Sequence, residues 1–211
     1  MTIEHVNAAD PDIHEPKGVA AALAGYIYVA NGAGSGTWGF PDPSPGTISQ
    51  GVCDYSDLTT VGSPIALTTP GTFYELTNDG AGADTNTTYS LAGLEGIWNV
   101  ATNRFDFSDG GVLSLGDTVD MRFTVSVTTG GVNTAITIEL ELDVGGTPYT
   151  IEIVPIQNFK TVGTYIMSRY TSVYMGNTGT LNNPARIIAK SDTAGATVTV
   201  VGWFVRALKT N

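Results

Sequence analysis

Residues 118–143 contain two runs in which every second side chain is apolar. Val119, Met121, Phe123, Val125 and Val127 alternate with Thr118, Asp120, Arg122, Thr124 and Ser126. After Thr129-Gly130-Gly131, Ile136, Ile138, Leu140 and Leu142 alternate with Thr137, Glu139, Glu141 and Asp143. A period of two places one set of side chains on a dry face and the other in water, as in a half-buried β-strand. Each large apolar side chain so buried contributes about 1.5–3 kcal/mol, so these runs form the centre of a core. The intervening glycines predict a long antiparallel hairpin.

The rest of the body follows the same pattern. Residues 64–67, 73–76, 93–100, 103–107, 147–154, 164–175, 186–190 and 196–208 read as short strands between Gly, Asn and Asp turns. Residues 93–107 read as a hairpin turning at Ala101-Thr102. In residues 147–154, Tyr149, Ile151 and Ile153 are expected to face inward, and Pro155 to end the strand. Helical periodicity is nearly absent. The pattern predicts an all-β antiparallel sandwich of the jelly-roll kind over residues 47–211, preceded by an arm and linker over residues 1–46. Asp10-Pro11 and Glu15-Pro16 break any helix in the arm, residues 18–25 allow a turn or two of helix, and residues 26–30 read as a strand. The glycines of residues 31–38 and the prolines of 40–46 read as a linker.

The last strand stands apart. Val198, Val200 and Phe204 fall on one face by alternation, but Val201, Trp203 and Val205 are apolar on the other. A strand dry on both faces needs a second cover, from a loop, the arm or another subunit. Tryptophan's preference for interface cores favours the subunit, so Val201, Trp203 and Val205 are the expected contacts of a homotrimer.

Charge and composition exclude several functions. The net charge of −11 argues against a nucleic-acid partner. No Lys or Arg occurs between Lys17 and Arg104, whereas Asp42, Asp54, Asp57, Glu75, Asp79, Asp84 and Glu95 do, so the front half is acidic. The single cysteine, Cys53, rules out an intrachain disulfide and reads as a buried thiol. No apolar run reaches the ~20 residues of a membrane span, and the start of the chain lacks signal-peptide character, so cytoplasmic synthesis and no membrane partner are expected.

Catalytic chemistry finds little footing. The only histidines, His5 and His14, lie in the arm, away from a rigid scaffold. Asp106, Asp109 and Asp117 carry no mark of an acid–base pair. The loop 79–86, with Asp79 and Asp84, offers oxygen ligands but no calcium-loop spacing, and Asn86-Thr87-Thr88 is a glycosylation sequon by pattern only. No enzyme activity, metal or cofactor is expected.

Two strings in the arm are unusual: Asp10-Pro11-Asp12-Ile13-His14-Glu15-Pro16-Lys17-Gly18, and Gly25-Tyr26-Ile27-Tyr28-Val29-Ala30-Asn31-Gly32-Ala33-Gly34-Ser35-Gly36-Thr37-Trp38. They resemble the N-terminal regions of tailed-bacteriophage structural proteins, namely head fibres, head decoration or cement proteins, and sometimes tail fibres. The body is similar in style to compact trimeric jelly rolls of the tumour-necrosis-factor or C1q type. The resemblance implies a virion protein made in the host cytoplasm, whose arm binds the major capsid protein while a trimeric body stands outside and stabilises the shell. It implies His14, Glu15, Pro16 and Lys17 as polar anchors and Tyr26, Tyr28 and Trp38 as apolar ones, unless those aromatics pack on their own body. The alternative is a tail fibre or spike that recognises the host surface. For glycan recognition the candidates are Tyr165, Tyr170 and Tyr174, for which strand core is the competing role. The short linker, with no shaft of repeats, favours decoration.

Overall fold

In the computed structural model the chain divides into two units, residues 1–47 and Ile48–Thr210. The structure describes residues 27–30, 36–39, 48–57, 63–85 and 93–210. In the first unit β1 (Ile27–Ala30) pairs antiparallel with β2 (Gly36–Gly39), setting Tyr28 opposite Trp38. Trp38, read as part of a linker, is therefore in a strand.

The second unit is built from antiparallel strands in two main sheets. One has the order β12 (Gly163–Tyr174), β9 (Thr118–Thr129), β14 (Ala196–Thr210), β3 (Ile48–Ser56) and β6 (Ala83–Thr85), with β4 (Ile65–Leu67) also on β14. The other runs β11 (Tyr149–Phe159), β10 (Thr134–Leu142), β13 (Arg186–Ser191), β5 (Tyr74–Glu75). Both contribute to one core, where the inward residues of β9 and β10 named above are all buried. This is an antiparallel β-sandwich.

The predicted hairpin of β9 with β10 is not formed. β9 pairs with β12 and β14, whereas β10 pairs with β11 and β13, so the chain at 130–133 crosses from one sheet to the other. Alternation specifies a dry face but not whether the next strand lies beside it or across the core; both satisfy the same pattern.

Pro155 does not end β11. Between Ile138↔Val154 and Ile136↔Gln157 the strand has one extra residue, and another between Ile138↔Val154 and Glu139↔Glu152. An edge strand with bulges tolerates a residue lacking an N–H. The predicted inward face holds for Ile153, which is buried, and Ile151, which is half-buried against the core, but not for Tyr149, which is exposed; the shifts bring Val154 into the core as well.

A third correction concerns β14. In its pairing with β9, Val200 lies opposite Val125 and Gly202 opposite Thr124, leaving Val201 as an extra residue. This bulge reverses the parity, so Ala196, Val198 and Val200 before it, and Trp203, Val205 and Ala207 after it, all join one core. Trp203 is 2% exposed, stacks 6.0 Å from Tyr55 and meets Phe105 edge-on at 5.8 Å and Trp98 at 6.2 Å. Trp98 and Phe105 come from the small hairpin β7 (Trp98–Asn99) and β8 (Arg104–Phe105), which follows a 3-10 turn at Leu94–Ile97. Val201, Trp203 and Val205 are thus buried by their own chain and are not the trimer contacts; the apparent second dry face came from reading one parity through a bulge.

Charged side chains clip the outer side of the smaller sheet. Arg104 grips Glu75 with two bonds of 2.9 and 3.1 Å, and Arg186 joins Glu75 (2.6 Å) to Glu141 (2.5 Å). Burial disfavours ionised Glu75, but the hydrogen bonds from Arg104 and Arg186 outweigh it and hold its pKa below the ordinary glutamate value. A depressed carboxyl contributes stability that is complete above its unfolded-state value and is lost as pH falls through the folded one. Glu75→Gln is expected to cost about 1–2 kcal/mol at pH 7 in urea unfolding, with the difference shrinking toward pH 3. A difference that stays constant with pH would assign Glu75 to packing alone.

Candidate binding face

The outer face of the larger sheet carries hydroxyl, charged and aromatic side chains in neighbouring rows. Register defines its rows across β14, β9 and β12: Thr199, Ser126, Ile166; Gly202, Thr124, Ser168; Phe204, Arg122, Tyr170; Arg206, Asp120, Ser172; Leu208, Thr118, Tyr174. Hydroxyls dominate one end, where Thr124 meets Ser168 and Thr128 meets Thr164, each at 2.9 Å. The other end is aromatic and charged.

Alternation accounts for this composition, since the polar half of β9 must face away from the core. β12 departs from that rule. Ile166, Tyr170 and Tyr174 are 68%, 70% and 62% exposed at every fourth position of an edge strand. Edge strands usually carry charge to deter docking, whereas β12 carries only Arg169. Of the three tyrosines singled out in the sequence, Tyr165 packs on Phe159 (4.7 Å) as core explains, but Tyr170 and Tyr174 do not.

Asp120 is held in place by its neighbours. Ser172 Oγ donates to its Oδ1 at 2.6 Å, and Arg206 donates from Nε (3.1 Å) and Nη2 to its Oδ2. The Ser172 hydrogen bond first, then that of Arg206, lowers its pKa, keeping the carboxylate ionised at neutral pH. One row away the Arg122 guanidinium lies 5.5 Å from the Phe204 ring centre, and its buried Nε has no hydrogen-bond partner among the described residues. A cavity of ≈ 400 Å³ opens among Asp120, Tyr170, Thr171, Ser172, Phe204 and Arg206. A smaller one of ≈ 230 Å³ adjoins Arg122, Asp54, Ser56 and Thr124.

The other sequence candidates fall elsewhere. His14, Glu15, Pro16, Lys17 and Tyr26 lie outside the described residues, as do His5, Asn86, the residues 18–25 read as helix and the proline-rich stretch 40–46; Tyr28 is half-buried in β1. Cys53 is buried and donates to the Leu94 carbonyl at 3.4 Å. Asp79 Oδ1 accepts from the Ala81 amide at 2.9 Å, an ordinary turn contact, and Asp106 Oδ1 accepts from Ser108. Among the described residues no group of three His, Cys, Asp or Glu could hold a metal ion, and no helix is long and apolar enough to cross a membrane. The sequence reading passed over Asp120, Arg122, Ser172, Phe204 and Arg206. Its available signal was the mixture of charges at alternate positions facing solvent, which alone does not distinguish a site from a wet surface.

No family model matches the sequence, and no curated protein matches it significantly. Among solved structures the chain is similar to infectious bursal disease virus, Gt strain, at 7% identity and a TM-score of 0.30, covering 87% of this chain and 42% of the other. It is likewise similar to the Gx strain at 6% identity and a TM-score of 0.30, covering 87% and 41%. It therefore spans less than half the length of either chain.

Proposed function

We propose that the protein is a structural component of a tailed-bacteriophage virion, a capsid decoration or cement protein whose N-terminal arm binds the major capsid protein and whose body stands on the outer head surface. The observation that carries this reading is the resemblance of residues 10–18 and 25–38 to the N-terminal regions of tailed-phage head fibres, head decoration or cement proteins and sometimes tail fibres. The body has jelly-roll character in our reading. Strands β3, β14, β9 and β12 neighbour one another in one sheet, and β5, β13, β10 and β11 in the other, and the chain moves between sheets from β4 to β5, β5 to β6, β9 to β10, β11 to β12, β12 to β13 and β13 to β14. Such a body holds its shape while an arm does the attaching.

A homotrimer remains part of the proposal on the ground of avidity: three arms on one body raise the effective concentration of each at the shell. Its contacts are drawn from the outer surface, since Val201, Trp203 and Val205 are internal. The exposed tyrosines of β12 favour a second reading, a tail component that recognises the host surface.

Location separates the two. Gold-labelled antibody against the sandwich, imaged on intact particles by electron microscopy, is expected to decorate the head; label confined to the tail would replace the first reading with the second.

A further inference from the structure

We propose that the cavity beside Tyr170 is a saccharide-binding site that takes a neutral pyranose ring through a vicinal pair of hydroxyls. The inference holds for a protein on the head or on the tail, so it stands or falls separately from virion location. Its volume of ≈ 400 Å³ is in the range of small-ligand pockets, roughly 300–1,000 Å³. Two aromatic residues, Tyr170 and Phe204, line it, and Tyr170 keeps 70% of its surface in solvent. A sugar ring has an apolar C–H face suited to such a wall and a rim of hydroxyls that each donate and accept.

The polar lining complements that rim. Asp120 is an acceptor held by Ser172 and Arg206, and Arg206 Nη1 makes no hydrogen bond among the described residues. A fixed carboxylate beside a free guanidinium N–H presents an acceptor and a donor side by side, which adjacent hydroxyls satisfy together. A wholly apolar ligand would strip water from this ion pair without replacing it. A phosphate would face the Asp120 carboxylate on a chain of net charge −11. All these groups sit on paired strands, so the arrangement is formed before any ligand arrives.

Saturation-transfer NMR on the full chain with methyl α-mannopyranoside, methyl α-glucopyranoside and methyl β-galactopyranoside tests the site. At least one glycoside is expected to receive saturation at its C–H protons. Tyr170→Ala is expected to weaken binding about tenfold, and Asp120→Asn similarly, with far-UV circular dichroism unchanged. Asp120→Asn keeps the test decisive if Tyr170→Ala does not fold. Absence of transfer to all three glycosides overturns the proposal, as does transfer undiminished in the variants. So does an oligomer that Tyr170→Ala dissociates, which would make this face a subunit contact.

Discussion

Trp203→Asp is expected to abolish folding, whereas a chain lacking Val201 is expected to stay folded. Val201 is the residue that the pairing of β14 with β9 skips, Val200 lying opposite Val125 and Gly202 opposite Thr124. Without it those same pairs become consecutive, so Ala196, Val198, Val200, Trp203, Val205 and Ala207 all stay on the core side by plain alternation. Losing the buried Trp203 ring alone costs about 3–5 kcal/mol, against a typical total stability of about 5–15 kcal/mol, and an aspartate there adds an unpaired buried carboxylate. Urea titration of the deletion variant, followed by far-UV circular dichroism, is expected to show a native baseline and one cooperative transition. Val201→Ala, which keeps the residue count, is expected to stay folded at a cost of about 1–3 kcal/mol. Trp203→Asp supplies the contrast. An interface tryptophan would yield folded monomers, whereas the cluster with Tyr55, Trp98 and Phe105 predicts no folded species at all. A deletion variant with no native baseline would show that Val201 is needed beyond the register, through its carbonyl, which accepts from the Asp57 amide at 2.8 Å.

The bulge also shows where the sequence stopped being legible. Inner residues of β9 and β10 were readable because nothing interrupts their alternation. In β14 one inserted residue made a single dry face look like two. The mark was present in Gly202, a glycine inside an apolar strand. A Cβ there would lie 2.6 Å from the Tyr55 carbonyl oxygen, so the strands meet where only glycine fits. Pro155 was a similar mark, read as an end where the edge of a sheet tolerates it. The partner of each strand was not readable, because alternation carries no information on which sheet comes next. The binding face was illegible for a different reason: Asp120 and Arg206 are 86 residues apart, and only strand pairing joins them to Tyr170.

Asp117→Ala is expected to be the most destabilising change of a single carboxylate, about 2–4 kcal/mol. In the sequence Asp117 was one of three aspartates with no evident chemistry; in the fold it is fully buried just before β9. Its Oδ2 accepts from the Ser114 amide at 2.9 Å and its Oδ1 from the Thr210 amide at 2.8 Å, while its carbonyl accepts from the Met175 amide at 2.8 Å. One residue thereby joins the start of β9 to the end of β14 and the exit of β12, three neighbouring strands that form the proposed binding face. Both side-chain bonds need an oxygen opposite an N–H. Asparagine supplies one oxygen and one NH₂, so one amide would face another donor, and Asp117→Asn is expected to cost nearly as much as alanine. Urea unfolding measures the cost, and faster hydrogen exchange at Ser114 and Thr210 locates it. An asparagine variant as stable as the parent would mean that only one of the two bonds matters, and that the strand ends are held by backbone pairing instead.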